Sequence, residues 1–241
     1  GTGDWEFDFA RREAGRLRFD LLDIDEALMS AAARLAREQG VAVATRVADV
    51  NRVELEAGCY DFVLCRSSLH HFLDLERVFA QVEQTLTRQG EFIVIGEWIG
   101  RNGLQIFPET EKVAQQIFSG LPARLRKNCY TSEIDDSLPN IDHSVNSFEA
   151  VRSEDIMPLL LKWFQPREYI LVDGMISLLL DFRYGPNYRL EDPEDLRIVE
   201  SIARRDVDLV LSGQIRPTTM FGIYGKQGLA KRVYRRLSRD V

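Results

Sequence analysis

Residues 16–47 read RLRFDLLDIDEALMSAAARLAREQGVAVATRV, and this stretch decides the fold class. Arg16 to Asp23 has the alternation of a strand. Asp25 then offers a short carboxylate that can cap a helix, and the Ala/Leu-rich run behind it stops at Gly40. Val41 to Val47 alternates once more. Strand, helix and strand in close succession imply a parallel βαβ unit.

The same rhythm continues toward the C-terminus. Tyr60 to Cys65 (YDFVLC) is a compact apolar run of the type buried on both faces of a sheet. Asp74 caps the next helix, whose apolar positions Leu75, Val78, Phe79, Val82 and Leu86 keep helical spacing until Gly90. Glu91 to Ile95 (EFIVI) is another buried strand, ending at Gly96 and Glu97. Toward the N-terminus, Gly1-Thr2-Gly3-Asp4 runs directly into helical residues. A Gly-X-Gly turn opening a helix lets the backbone approach a nucleotide closely at the carboxyl end of a strand.

After Trp98 the pattern changes. Pro108 and Gly120 bracket a helix, and a polar stretch from Thr131 to Ser147 follows. Ser153 caps a further helix, a strand covers about Arg167 to Asp173, and a second helical insertion runs over residues 176–213. Asp192-Pro193-Glu194 starts a helix in that insertion and Gly213 stops it. Thr218 to Tyr224 is the last strand. The resulting division is 1–100, a cofactor-binding half; 101–150, a lid; 151–226, a C-terminal half holding the 176–213 insertion; and 227–241, a basic tail. That tail carries Lys231, Arg232, Arg235, Arg236 and Arg239, and reads as a solvated terminal helix.

Composition narrows the class of function. The chain has 241 residues, 45% hydrophobic and 29% charged, which suits one packed domain with a sizeable insertion. A formal net charge of −7 argues against nucleic acid as the main partner. The cysteines Cys59, Cys65 and Cys129 have no CxxC spacing and are odd in number, so a reduced, cytoplasmic setting is expected. The longest apolar stretch, Tyr169 to Leu180, is broken by Asp173 and Gly174 and reads as core, not as a membrane span.

Four strand ends offer polar groups along one rim. Asp23 lies 20 residues beyond Gly3, the spacing at which an acid can accept hydrogen bonds from both ribose hydroxyls. Asp49 follows the next strand, where a short acceptor could meet an exocyclic adenine amine, and Cys65-Arg66-Ser67-Ser68 ends the one after. A dinucleotide oxidoreductase competes for this pattern, but its fingerprint wants a third small residue where this chain has Glu6. A carboxylate there opposes a pyrophosphate. S-adenosylmethionine has no phosphate and a cationic sulfonium, so the residues favour the methyl donor.

The run LLDIDEALMSAA, then VADV, then YDFVLCRSSLHHFLDLERVFAQVEQTLTRQGEFIVIGEW, resembles the class I S-adenosylmethionine-dependent methyltransferases of small-molecule and glycan type. The opening GTGD resembles the second half of that family's glycine-rich motif. The resemblance implies a Rossmann-like α/β three-layer sandwich with a mostly parallel seven-stranded sheet. Its order is 3-2-1-4-5-7-6, the last strand is antiparallel, and the first strand is missing here. It implies that more residues stand upstream of Gly1, as they would in a larger polypeptide, because a domain without its central strand should not be stable.

By the same resemblance Gly1 and Gly3 line the methionine side of S-adenosylmethionine, and Asp23 with Ile24 receives the ribose. Asp49 with Val50 flanks the adenine, and Arg66 touches the cofactor through its backbone. The expected reaction is methyl transfer to an oxygen of a small-molecule or sugar acceptor, leaving S-adenosylhomocysteine. Candidates for the base are Glu97, His70 and His143, in that order. A metal site at His70-His71 is not expected, since adjacent residues on a strand point to opposite faces. Trp98, Phe107, Tyr130, Phe182, Tyr184 and Tyr188 either stack on the acceptor or fill the lid. The alternatives are a non-catalytic methyltransferase-like scaffold in a larger enzyme and, third, an NAD(P)-dependent oxidoreductase.

Overall fold

The computed structural model describes residues 1–13, 16–228 and 234–235, and it divides into two compact units, Gly1–Leu55 and Glu56–Val241. The first holds α1 (Asp4–Arg12), β1 (Phe19–Asp23), α2 (Glu26–Gln39) and β2 (Val43–Val47). β1 and β2 are parallel, in register from Phe19 opposite Val43 to Asp23 opposite Val47. The Asp25 carboxylate accepts from the N–H groups of Ala27 and Leu28, satisfying donors that the helix itself leaves free, and Gly40 closes α2. Phe7, Met29, Ala32 and Ala36 form the core of this unit, with Leu21, Leu35, Val41 and Val43 packed on it. Gly3 stands before α1 with φ +77°, and a Cβ there would fall 2.7 Å from Phe7 Cζ and 2.8 Å from Leu21 Cδ1. Only glycine lets the turn press this closely on β1.

The second unit contains β3 (Tyr60–Arg66), α3 (Leu75–Thr85), β4 (Leu86–Trp98), α4 (Pro108–Gly120), α5 (Ser153–Trp163), β5 (Phe164–Val172), α6 (Ile176–Leu180), α7 (Pro193–Leu211), β6 (Thr219–Lys226) and β7 (Tyr234–Arg235). Its sheet runs β3-β4-β6-β5-β7. β3 and β4 are parallel, β6 is antiparallel to both β4 and β5, and β7 is parallel to β5. Phe79 of α3, Phe92 of β4 and Phe164 of β5 meet with ring centroids 5.3 to 6.1 Å apart, joining helix to sheet through buried aromatic surface.

A separate core lies beyond the sheet. Ala114, Phe118, Leu121, Leu125 and Leu138 pack with Met175, Leu179, Tyr184, Tyr188, Ile202, Leu209 and Ile215. The two segments 101–150 and 176–213 therefore share one apolar interior, although the helix α5 and strand β5 separate them in sequence. Buried charge ties them together as well. The Arg124 guanidinium donates to both oxygens of Asp195, which has no exposed surface, and the Arg189 N–H adds a third bond at 2.9 Å.

Several expectations are revised. Two sheets stand where one seven-stranded sheet was anticipated. The pairs β2–β1, β3–β4, β4–β6 and β6–β5 are neighbours in the order 3-2-1-4-5-7-6, but no described residue supplies strand 1 of that order, so the full order is not confirmed. β7 is an addition. Among the described residues YDFVLC is not buried on both faces: β3 is bonded to β4 alone, and Phe62 is 53% exposed. The helix after Asp74 stops at Thr85, because Leu86 turns extended and pairs with Tyr60. Arg152, not Ser153, holds the cap position of α5. In the basic tail, Tyr234 and Arg235 are extended, not helical, and Lys231, Arg232, Arg236 and Arg239 lie outside the described residues.

Candidate active site

The centre of interest forms where β3 and β4 end side by side. Ser67 leaves β3 with φ 43° and Gly96 interrupts β4 with φ 59°, and the Ser67 hydroxyl donates to the Gly96 carbonyl at 2.8 Å. A non-glycine residue in the left-handed region is costly and is held here by its neighbours. The bend at Gly96 sits within a register shift between Val94 and Glu97, and it sets the Glu97 side chain toward the segment after β3.

That segment is a 3-10 turn, Leu69–His71, built around the Glu97 carboxylate. Glu97 has no exposed surface. One oxygen accepts from the N–H groups of Ser68 (3.0 Å) and Leu69 (2.9 Å); the other accepts from the His70 N–H (3.0 Å) and lies 2.6 Å from His70 Nδ1. A buried carboxylate with this many donors is compensated for its lost water. The contact orients the imidazole: in the tautomer with its proton on Nδ1, the ring donates to Glu97 and leaves the Nε2 lone pair free. His70 itself is 7% exposed, and its Nε2 stands 3.4 Å from Glu149 Oε1. Burial first, and the Glu97 charge second, push the neighbouring Cys65 thiol up to about 12, so Cys65 is no thiolate nucleophile.

His71 sits beside His70, with ring centroids 4.0 Å apart. The premise that the two histidines diverge on a strand is thus overturned, because in a 3-10 turn successive side chains are about 120° apart instead of opposite, and here the rings meet. His71 Nδ1 lies 3.1 Å from the Phe148 carbonyl oxygen and 3.8 Å from Glu149 Oε2. The approach of residues 148–151 is pinned by the Val151 N–H, which donates to the His70 carbonyl at 3.1 Å. Glu149 had no distinguishing mark in the sequence.

The structure brings Glu97 and His70 together but not His143. His143 is exposed, its N–H donates to the Gly103 carbonyl, and among the described residues no hydrogen bond or ion pair joins its ring to His70 or Glu97. Arg66, the last residue of β3, is exposed and pairs with Ile95. Of the six aromatics expected around an acceptor, Tyr184 and Tyr188 are buried in the lid core, and Phe107 is covered by Arg216, 3.6 Å above its ring. Tyr130 and Phe182 remain 71% and 84% exposed.

In the first unit, Gly1, Gly3, Asp23, Ile24, Asp49 and Val50 lie at the carboxyl ends of β1 and β2 and before α1. The Asp23 carboxylate accepts from the Asp25 N–H at 3.1 Å. Asp49 is held below that range by the backbone and side-chain amides of Asn51. Ile24 is 69% exposed. Asp49 is therefore a charged acceptor at neutral pH.

Residues 1–90 match the family described as a methyltransferase domain. No curated protein sequence matches the chain. Among solved structures, the chain is similar to residues 961–1257 of the StiE O-MT, with a TM-score of 0.53 at 11% identity over 95% of this chain and 66% of that one. It is also similar to the PH0226 protein from Pyrococcus horikoshii OT3, with a TM-score of 0.50 at 14% identity over 94% and 78%. The geranyl diphosphate C-methyltransferase from Streptomyces coelicolor A3(2) scores 0.49 at 13% identity over 94% and 68%. At such identities the structural likeness is one of fold. The match over residues 1–90 agrees with the methyltransferase resemblance drawn from the sequence. Among the described residues no helix is long and apolar enough to cross a membrane.

Proposed function

We propose that the chain transfers the sulfonium methyl of S-adenosylmethionine to an oxygen of a small-molecule or glycan acceptor, with His70 as general base. The observation that carries the oxygen reading is the 2.6 Å contact between Glu97 and His70 Nδ1. A hydroxyl must lose its proton during attack, and a histidine whose Nδ1 is held by a buried carboxylate presents Nε2 for that proton. Glu97 is then a positioning residue, since both of its oxygens already accept bonds within the fold. This moves the base from Glu97, first in the sequence order, to His70.

In this reading Asp23 takes the ribose hydroxyls, with Ile24 beside it. Asp49 and Val50 flank the adenine, Gly1 and Gly3 admit the methionine portion, and Arg66 contributes its backbone. The displacement is in line at an already activated methyl, so the protein chiefly orients the reactants and excludes water. The lid core over 101–150 and 176–213 presents Tyr130 and Phe182 as exposed rings to an acceptor. Calorimetric titration of S-adenosylhomocysteine into the full chain tests the cofactor assignment: micromolar binding that disappears in Asp23→Ala supports it. Binding that Asp23→Ala leaves untouched removes Asp23 from the site, and no binding at all favours a scaffold role.

A further inference from the structure

We propose that His70, His71 and Glu149 form a site for one divalent first-row transition-metal ion of the zinc class. One ligand atom from each of the three lies within 4.8 Å of the others. The His70 Nε2–Glu149 Oε1 separation is 3.4 Å and the His71 Nδ1–Glu149 Oε2 separation is 3.8 Å, both somewhat longer than a bound ion would leave them. Metal–ligand bonds of about 2.0–2.1 Å in a tetrahedral site put neighbouring ligand atoms about 3.3 Å apart. Small side-chain adjustments are enough to close the shell.

The surroundings fit the same reading. A metal-binding histidine commonly donates its other ring N–H to a carboxylate, which fixes the tautomer and makes the ligating nitrogen more basic. Glu97 does this for His70 at 2.6 Å and is itself locked by three backbone N–H groups. Two carboxylates and two neutral imidazoles balance a charge of +2, whereas without a cation Glu97 and Glu149 flank a single buried ring. Two imidazoles with one carboxylate suit zinc-class ions over magnesium or calcium, which prefer oxygen shells. Ligation at His71 Nδ1 exchanges its contact with the Phe148 carbonyl for the ion. Glu149 and His71 are partly exposed, with side chains 36% and 41% accessible, so the ion has a path of entry and an open position.

The site goes beyond the methyl-transfer reading. Nε2 of His70 cannot hold an ion and take a proton together, so the loaded protein would activate an acceptor hydroxyl by coordination and the metal-free protein by His70. No redox step is involved.

The test is a cobalt(II) titration of the chelator-stripped full chain, followed by visible absorption and competed with zinc(II). The expected result is one cobalt per chain with ligand-field bands of a four- or five-coordinate ion, displaced by zinc. Glu149→Gln and His71→Ala should each weaken binding at least about tenfold, as the loss of even an outer-shell partner does elsewhere. Both variants should keep the wild-type urea midpoint, which separates lost ligation from lost folding. Absence of the bands in the wild type, or wild-type affinity in both variants, overturns the site. S-adenosylhomocysteine titrated in the presence of chelator reports the methyl-transfer reading separately, since its proposed contacts use none of these three residues.

Discussion

Asp23 and Glu97 both stand at strand ends, yet they are opposites. The Asp23 and Asp49 side chains keep 25% and 33% of their surface open, on a small unit whose strands end in short loops. The Glu97 side chain has none open, and four donors occupy it. An open carboxylate can exchange its bonds for those of a ligand at little cost. A buried one cannot, and acts by fixing whatever surrounds it. The first kind is therefore assigned to binding, and the second to positioning.

That contrast is broken or sharpened most strongly at His70. His70→Ala should lower turnover by roughly 10²- to 10⁴-fold, the usual range for a general base, while S-adenosylhomocysteine affinity stays nearly constant. Single-turnover kinetics beside calorimetry measures both, and unaltered turnover would remove His70 from the chemistry. Glu97→Ala strands three backbone donors and the imidazole, and should cost roughly 3–5 kcal/mol in urea unfolding, as the breaking of buried charged pairs does. A loss under about 1 kcal/mol would show that the carboxylate does not organise the turn.

Smaller effects are expected among the open acids. Asp23→Ala should weaken S-adenosylhomocysteine by about 30- to 150-fold, for the loss of charge-assisted bonds of about 2–3 kcal/mol, with the urea midpoint preserved. A falling midpoint with unchanged affinity would reverse the assignment of Asp23 to binding.

The smallest effect is a pH signature that separates two buried acids. Asp195 is drawn down to about 2 by the Arg124 guanidinium, followed by the Arg189 N–H. Its folded value lies below the ordinary carboxylate value, so its contribution is complete above about pH 4 and disappears as pH falls through about 2. Asp206 is raised by burial, despite bonds from the Gly174 and Met175 N–H groups. Its contribution is present at low pH and is lost as pH rises through its elevated value. Asp195→Asn should flatten the acid limb of the stability curve, and Asp206→Asn the opposite limb. Identical curves would show that neither carboxyl is linked to folding.

The sequence by itself determined the local elements. Asp25 and Gly40 bracket α2, Asp192 starts α7, and Pro108 opens α4, because caps and helix starts depend on neighbours a few residues away. The spacing of Gly3 and Asp23 is what suggested a nucleotide-binding loop, and both residues lie within the stretch 1–90 that matches the methyltransferase domain. The tertiary structure decided what depends on distant partners. Leu86 follows a helical pattern, but pairing with Tyr60 draws it into a strand. His70 and His71 converge because Glu97, more than two dozen residues away, gathers the N–H groups of residues 68–70 into a turn. Glu149 carries no local signal and joins them only where residues 148–151 are bonded back to that turn. Caps and periodicity are short-range and written in order along the chain; a buried carboxylate chooses its donors in space, after the sheet has formed.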